Sequence, residues 1–172
     1  MNQKKTKSTV PSTLKKTSHR WKLMKFSSVT AIAMIAVIAA IWSFKPEPSI
    51  SAEITVYKSP WCGCCGKWVE HMRGAGHKVT IRNTDNLDAV KKMARVPEHL
   101  QSCHTAMIDG YIVEGHVPPK DIKKLLTERP KVAGISVPGM PSGSPGMESS
   151  APEPYNVILF GKDGKESIYA RY

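Results

Sequence analysis

Apolar and polar positions along the chain fall into short blocks with two periods. Glu53–Lys58 alternates as a strand, and Cys64–Arg73 follows as a helix stopped by Gly74 and Gly76. His77-Lys78-Val79-Thr80-Ile81 alternates again as a second strand. Thr84 or Asp85 caps a second helix with Leu87, Val90 and Met93 on its apolar face, and Pro97 marks its end. Thr105–Ile108 and Tyr111–Val113 flank Asp109-Gly110, a two-residue hairpin signal. Pro118 and Pro119 open a third helix that turns Ile122, Leu125 and Leu126 inward. A second hairpin joins Tyr155–Phe160 to Glu166–Arg171 around Asp163-Gly164, and the Gly-, Pro- and Ser-rich stretch Val132–Pro154 reads as irregular.

The order strand, helix, strand, helix, hairpin, helix predicts a thioredoxin-like α/β domain over residues 53–172: a mixed sheet with flanking helices and an added C-terminal β-hairpin. Ahead of it lie two segments of another kind. Residues 1–25 hold eight Lys/Arg and no acid, and residues 26–44 run uncharged, rich in Ala, Ile and Val. A basic segment followed by an apolar one is an export or anchoring signal. The 19 apolar positions are long enough to cross a bilayer, and small residues near Ser49-Ile50-Ser51-Ala52 would suit cleavage. Either outcome puts the domain outside the cytoplasm, on a periplasmic face, because the basic end stays inside. If uncleaved, residues 26–44 tether the protein to the inner membrane by a single helix, with 45–52 as a short Pro-rich linker. This tail also explains the charge. Of the formal +11, residues 1–25 supply +8, Lys45 and Glu47 cancel, and residues 53–172 carry only +3. A nucleic-acid binder should show a basic stripe on its folded part, so no nucleic-acid partner is expected.

The chemistry is concentrated in sulfur. Cys62-Gly63-Cys64-Cys65 places three thiols where the first strand hands over to the first helix, and Cys103-His104 adds a fourth. A helix N-terminus favours thiolate, the form that attacks disulfides and binds soft metals. An oxidising compartment permits simple staples, but adjacent Cys64 and Cys65 are poorly placed to bond, and Cys62 with Cys64 would close a strained loop. In thioredoxin-like domains the loop entering the third strand faces the active thiols and carries a cis-proline. Here that stretch is Ser102-Cys103-His104-Thr105, with no proline beside Thr105. Dithiol exchange through Cys62 and Cys65 therefore becomes the alternative, and convergence of Cys103 and His104 on the triplet the leading expectation. Thiolates select Cu(I), Zn(II) or iron–sulfur clusters. The paired knuckles of zinc sites and the spacings of cluster ferredoxins are both missing, whereas Cu(I) accepts crowded, bridging sulfurs.

Around this core stand weaker candidates. Met140 and Met147, in a loop with little other apolar content, offer thioethers to copper. His116 ends a strand near the same edge, as ligand or polar cap. Trp61 is expected to shield the thiols and Trp68 to fill core. Met72, Met93 and Met107 read as core, His71, His77 and His99 as surface or packing residues, and Lys67 and Glu148 as solvated charges.

Taken together, Trp61-Cys62-Gly63-Cys64-Cys65, Ser102-Cys103-His104-Thr105-Ala106, Gly110-Tyr111, Glu114-Gly115-His116-Val117-Pro118 and Val137-Pro138-Gly139-Met140-Pro141 with Gly143-Ser144-Pro145-Gly146-Met147 resemble one family. It is the CopG-type copper-resistance proteins, family 411 of the domains of unknown function, unrelated to the DNA-binding repressors of that name. The resemblance covers residues 53–172. It implies an exported thioredoxin-like domain that binds copper as Cu(I), with several ions allowed, and that aids copper tolerance through redox cycling of the metal. It marks Cys62, Cys64, Cys65 and Cys103 as metal-binding thiols, with His104, His116, Met140 and Met147 as contributors. Exported copper-handling or electron-transfer proteins are the partners such a function implies.

Overall fold

The structure is a computed structural model that describes residues 51–172. The basic segment 1–25, the apolar segment 26–44 and most of the 45–52 linker lie outside the described residues. Among the described residues, no helix is long and apolar enough to cross a membrane.

Seven strands form one mixed sheet: β1 (Glu53–Lys58), β2 (Lys78–Asn83), β3 (His104–Ile108), β4 (Tyr111–Glu114), β5 (Gly134–Ser136), β6 (Asn156–Phe160) and β7 (Glu166–Arg171). Their order across the sheet is β2-β1-β3-β4-β5-β6-β7. β1 pairs parallel with β2 and antiparallel with β3, β4 pairs parallel with β5, and the other pairings are antiparallel. Three helices cover it: α1 (Gly63–Gly74), α2 (Leu87–Met93) and α3 (Pro119–Glu128). The first four strands with these helices are compatible with the thioredoxin-like arrangement.

The periodicities explain the packing. In α1, Cys65, Trp68, Val69 and Met72 are buried, the i, i+3, i+4, i+7 spacing of one helix face. Trp68, Val69 and Met72 meet Ile54 and Val56 of β1, Ala106 and Ile108 of β3, and Ile122 and Leu125 of α3 in one continuous core. Each fully buried large apolar side chain in this layer contributes roughly 1.5–3 kcal/mol. Pro118 and Pro119 open α3 as expected, and Asn86, not Thr84 or Asp85, caps α2 by accepting from Ala89 N–H.

Two readings of the pattern need correction. α2 buries Val90 and Lys91, while Met93 is 73% exposed and no part of the core. The helix turns Lys91 inward, where it meets a buried partner described below, and leaves Met93 facing out. The stretch Val132–Pro154 contains β5, a strand with only three residues. At Gly134 a Cβ would lie 2.0 Å from the Ile112 carbonyl oxygen, so the close approach to β4 requires glycine.

Candidate metal centre

Cys62 is the N-cap of α1, and its Sγ accepts from Cys65 N–H at 3.3 Å. The triplet thus sits on the first turn, where unpaired backbone N–H groups favour negative charge. Lys58 at the end of β1 pairs in register with His104 at the start of β3. That antiparallel register carries Cys103 to the helix tip, although 38 positions separate it from Cys65.

The sulfurs converge. Cys62 and Cys65 form a disulfide, leaving Cys64 and Cys103 as free thiols. Cys64 Sγ lies 3.5 Å from Cys62 Sγ, and Cys103 Sγ lies 3.5 Å from Cys65 Sγ, so each free thiol faces one sulfur of the disulfide. The donor atoms of all four cysteines fall within 4.8 Å of one another, as do those of Cys103, His104 and His116.

Both histidines stand behind Cys103 and are fully buried. His116 Nδ1 lies 2.8 Å from the Pro145 carbonyl, which can only accept, so Nδ1 carries the proton. Its Nε2 lone pair is then free and lies 2.9 Å from Cys103 Sγ. His104 presents Nδ1 to the same sulfur at 3.4 Å, while its Nε2 is buried without a partner. The His104 ring rests against Trp68 at 4.5 Å and against His116 at 5.1 Å. Burial first, then the charges of His116, Lys91 and Lys58, hold its pKa well below the usual histidine value. Burial likewise lowers His116. Burial, followed by the neighbouring Cys64, pushes the Cys103 thiol up to about 12. Two neutral imidazoles and a desolvated sulfur, with no carboxylate among them, suit a soft cation and not a hard one.

The loop after β5 closes over this group. Val137 N–H and Gly139 N–H donate to the carbonyls of Glu114 and Gln101, and the Ser102 hydroxyl donates to the Gly139 carbonyl. Gly146 packs on α1, and Met147 lines a surface cleft with Cys64, Lys67 and Glu148. Met140 is 55% exposed. Trp61 does not shield the thiols: it is 88% exposed, because Pro60 and the N-cap turn carry it outward before Cys62. Glu148 is exposed, yet accepts from Gly146 N–H and meets His71 at 2.6 Å, which drops its pKa to about 2. His77 accepts from Ala52 N–H, and His99 meets Glu166, both away from the sulfurs.

Fold and site together define a mixed α/β domain whose helix-tip thiols, paired imidazoles and covering loop form one sulfur- and nitrogen-rich centre. A family model described as "Protein of unknown function, DUF411" matches residues 100–147. Two solved structures, "Copper resistance protein copG" in its form 1 and its form 2, each align at 44% identity with a TM-score of 0.68. Each alignment covers 71% of this chain and 98% of the other. No curated protein matches the chain. The chain belongs to the CopG-type copper-resistance family, and with its cysteine cluster this gives it a copper-related function.

Proposed function

We propose that residues 53–172 form an exported copper-binding domain in which Cys62, Cys64, Cys65 and Cys103 hold Cu(I) as thiolates. His104 and His116 supply imidazole donors, and Met140 and Met147 add thioethers from the covering loop. The observation that carries this reading is the approach of Cys103 to the triplet with an unprotonated imidazole nitrogen 2.9 Å from its sulfur. Copper ligation must displace the Cys103 proton, so uptake strengthens as pH rises. With the disulfide closed, two thiols remain, and reduction restores all four. Cu(I) bound per chain, measured anaerobically, is therefore higher after reduction and falls sharply in any Cys→Ser variant. Unchanged stoichiometry in the quadruple Cys→Ser variant would overturn the reading.

A redox step fits the same residues. Closing Cys62–Cys65 from two thiols releases two electrons and two protons, which balances reduction of two Cu(II) to Cu(I). An exported thiol or electron-transfer partner then reopens the disulfide. The disulfide also favours a second reading, thiol–disulfide exchange through Cys62 and Cys65. Metal-free protein that reduces insulin, and loses that activity with Cys62→Ser, would support it over copper chemistry. The basic segment 1–25, the apolar segment 26–44 and the linker 45–52 support an export signal or anchor, which would put the domain on the periplasmic side, tethered or released. N-terminal sequencing of the mature protein, with membrane fractionation, decides between these.

A further inference from the structure

Directly behind the metal centre lies an ion pair that apolar packing does not explain. Lys91 of α2 and Glu114 at the end of β4 are buried, their side chains 5% and 0% exposed. Lys91 Nζ donates to Glu114 Oε1, and at 3.2 Å to Thr105 Oγ1. The same Oε1 accepts Ser102 N–H at 2.8 Å, and Oε2 accepts the Thr105 hydroxyl at 2.6 Å. Ser102 and Thr105 are the residues on either side of Cys103-His104. One carboxylate therefore grips both ends of the dipeptide that brings sulfur and imidazole to the helix tip.

A buried ion pair is weak evidence of stability, since apolar residues of equal volume often serve as well. Stability alone therefore does not account for it, and its placement points to another role. The loop Ser102-Cys103-His104-Thr105 contains no proline, the residue that fixes the equivalent turn in thioredoxin-like enzymes. We propose that Glu114, with Lys91 as its counter-charge, is the positioning residue of the metal centre, holding the Cys103–His104 loop through Ser102 and Thr105. The Glu114 carboxylate takes no part in binding metal. It sets where Cys103 Sγ stands relative to Cys65 and His116. The metal-affinity part of this inference rests on the copper reading above; the loop-holding part does not.

The test uses Glu114→Gln and the double variant Lys91→Met with Glu114→Gln, which leaves no unpaired buried charge. In metal-free protein with the disulfide intact, Cys103 and Cys64 are alkylated with iodoacetamide and followed by mass spectrometry. The ratio of Cys103 to Cys64 rates should rise about tenfold, the factor expected when one buried hydrogen bond to a charged group no longer opposes loop opening. Cu(I) affinity should fall about 10- to 100-fold, as for other groups that orient a metal ligand, while the double variant melts near the wild-type temperature. An unchanged alkylation ratio in a folded variant overturns the inference. If the variants do not fold, amide exchange in the wild-type protein decides. Ser102 N–H should exchange only with global unfolding, and exchange at the rate of an exposed loop also overturns it. Wild-type protein that takes up no Cu(I) while the ratio still shifts defeats the copper reading and leaves the clamp standing. Copper uptake with unmoved ratio and affinity does the reverse.

Discussion

Replacing Gly146 by alanine should lift the covering loop off the metal centre without melting the core. Gly146 has φ of +87°, and a Cβ there would lie 2.7 Å from the Cys64 carbonyl oxygen and 2.8 Å from Trp68 N. Left-handed backbone costs a residue with a Cβ about 1–2 kcal/mol. Both contacts are with the backbone of α1, which cannot turn aside, so overpacking adds about 1–3 kcal/mol. A loop docked mainly by single hydrogen bonds, each worth about 1 kcal/mol net, cannot absorb that total. The His116–Pro145 bond, one residue away, should break with it. Gly164→Ala is the control, because its φ is +77° but nothing lies within 4 Å of the added carbon. In limited proteolysis of folded protein, cleavage within residues 140–150 should accelerate about 30-fold or more in Gly146→Ala, corresponding to a loss of 2 kcal/mol or above. Gly164→Ala should leave that rate unchanged. Equal resistance of the two variants across residues 140–150 would refute the steric reasoning.

Trp68→Phe removes the indole donor to the Val117 carbonyl, a 2.9 Å bond inside the core, and should lower unfolding free energy by about 1–3 kcal/mol in urea titration. An unmoved midpoint would show that the bond contributes nothing net. In metal-free protein, burial lowers His104, His77 and His116, so the unfolded chain binds more protons below about pH 6.5. Stability is then complete above that pH and falls as pH drops, by at most about 1.4 kcal/mol per unit for fully buried His104. Cys103 acts oppositely: raised from 9.0 to about 12, it contributes below pH 9 and is lost as pH climbs toward the folded value. Urea midpoints at pH 5, 7 and 10 test both limbs, and a flat profile contradicts them. Reducing Cys62–Cys65, which closes a loop of only a few residues, should cost about 2 kcal/mol by chain entropy, so the reduced domain should remain folded in a thermal melt.

The elements with strong periodicity were legible from residues alone. β1 has the expected bounds, α3 begins at the expected proline, and both hairpins turn at their Asp-Gly pairs. β5 was not, because three residues beginning with glycine carry no alternation, and their pairing is set by β4 and β6. The thioredoxin-like order of elements pointed to the convergence of Cys103 on the triplet, since it brings the entry of the third strand to the tip of the first helix. The orientation of α2 was hidden because lysine reads as a surface residue until its buried partner is known. For the same reason Lys91 and Glu114 were not singled out, although a charged residue ending an otherwise apolar strand was visible at Glu114. Trp61 misled because size suggests burial, while a turn at a helix cap decides the direction of its side chain.

The sulfur and imidazole groups that converge here come from the α1 cap, the entry to β3 and the exit of β4. An ion held there would tie the α1 cap to the entry of β3 and the exit of β4, beyond the core that already joins them. Its grip adds to native stability in proportion to the logarithm of its free concentration over its dissociation constant. Under the copper reading, protein loaded with Cu(I) would therefore resist degradation longer than the metal-free protein.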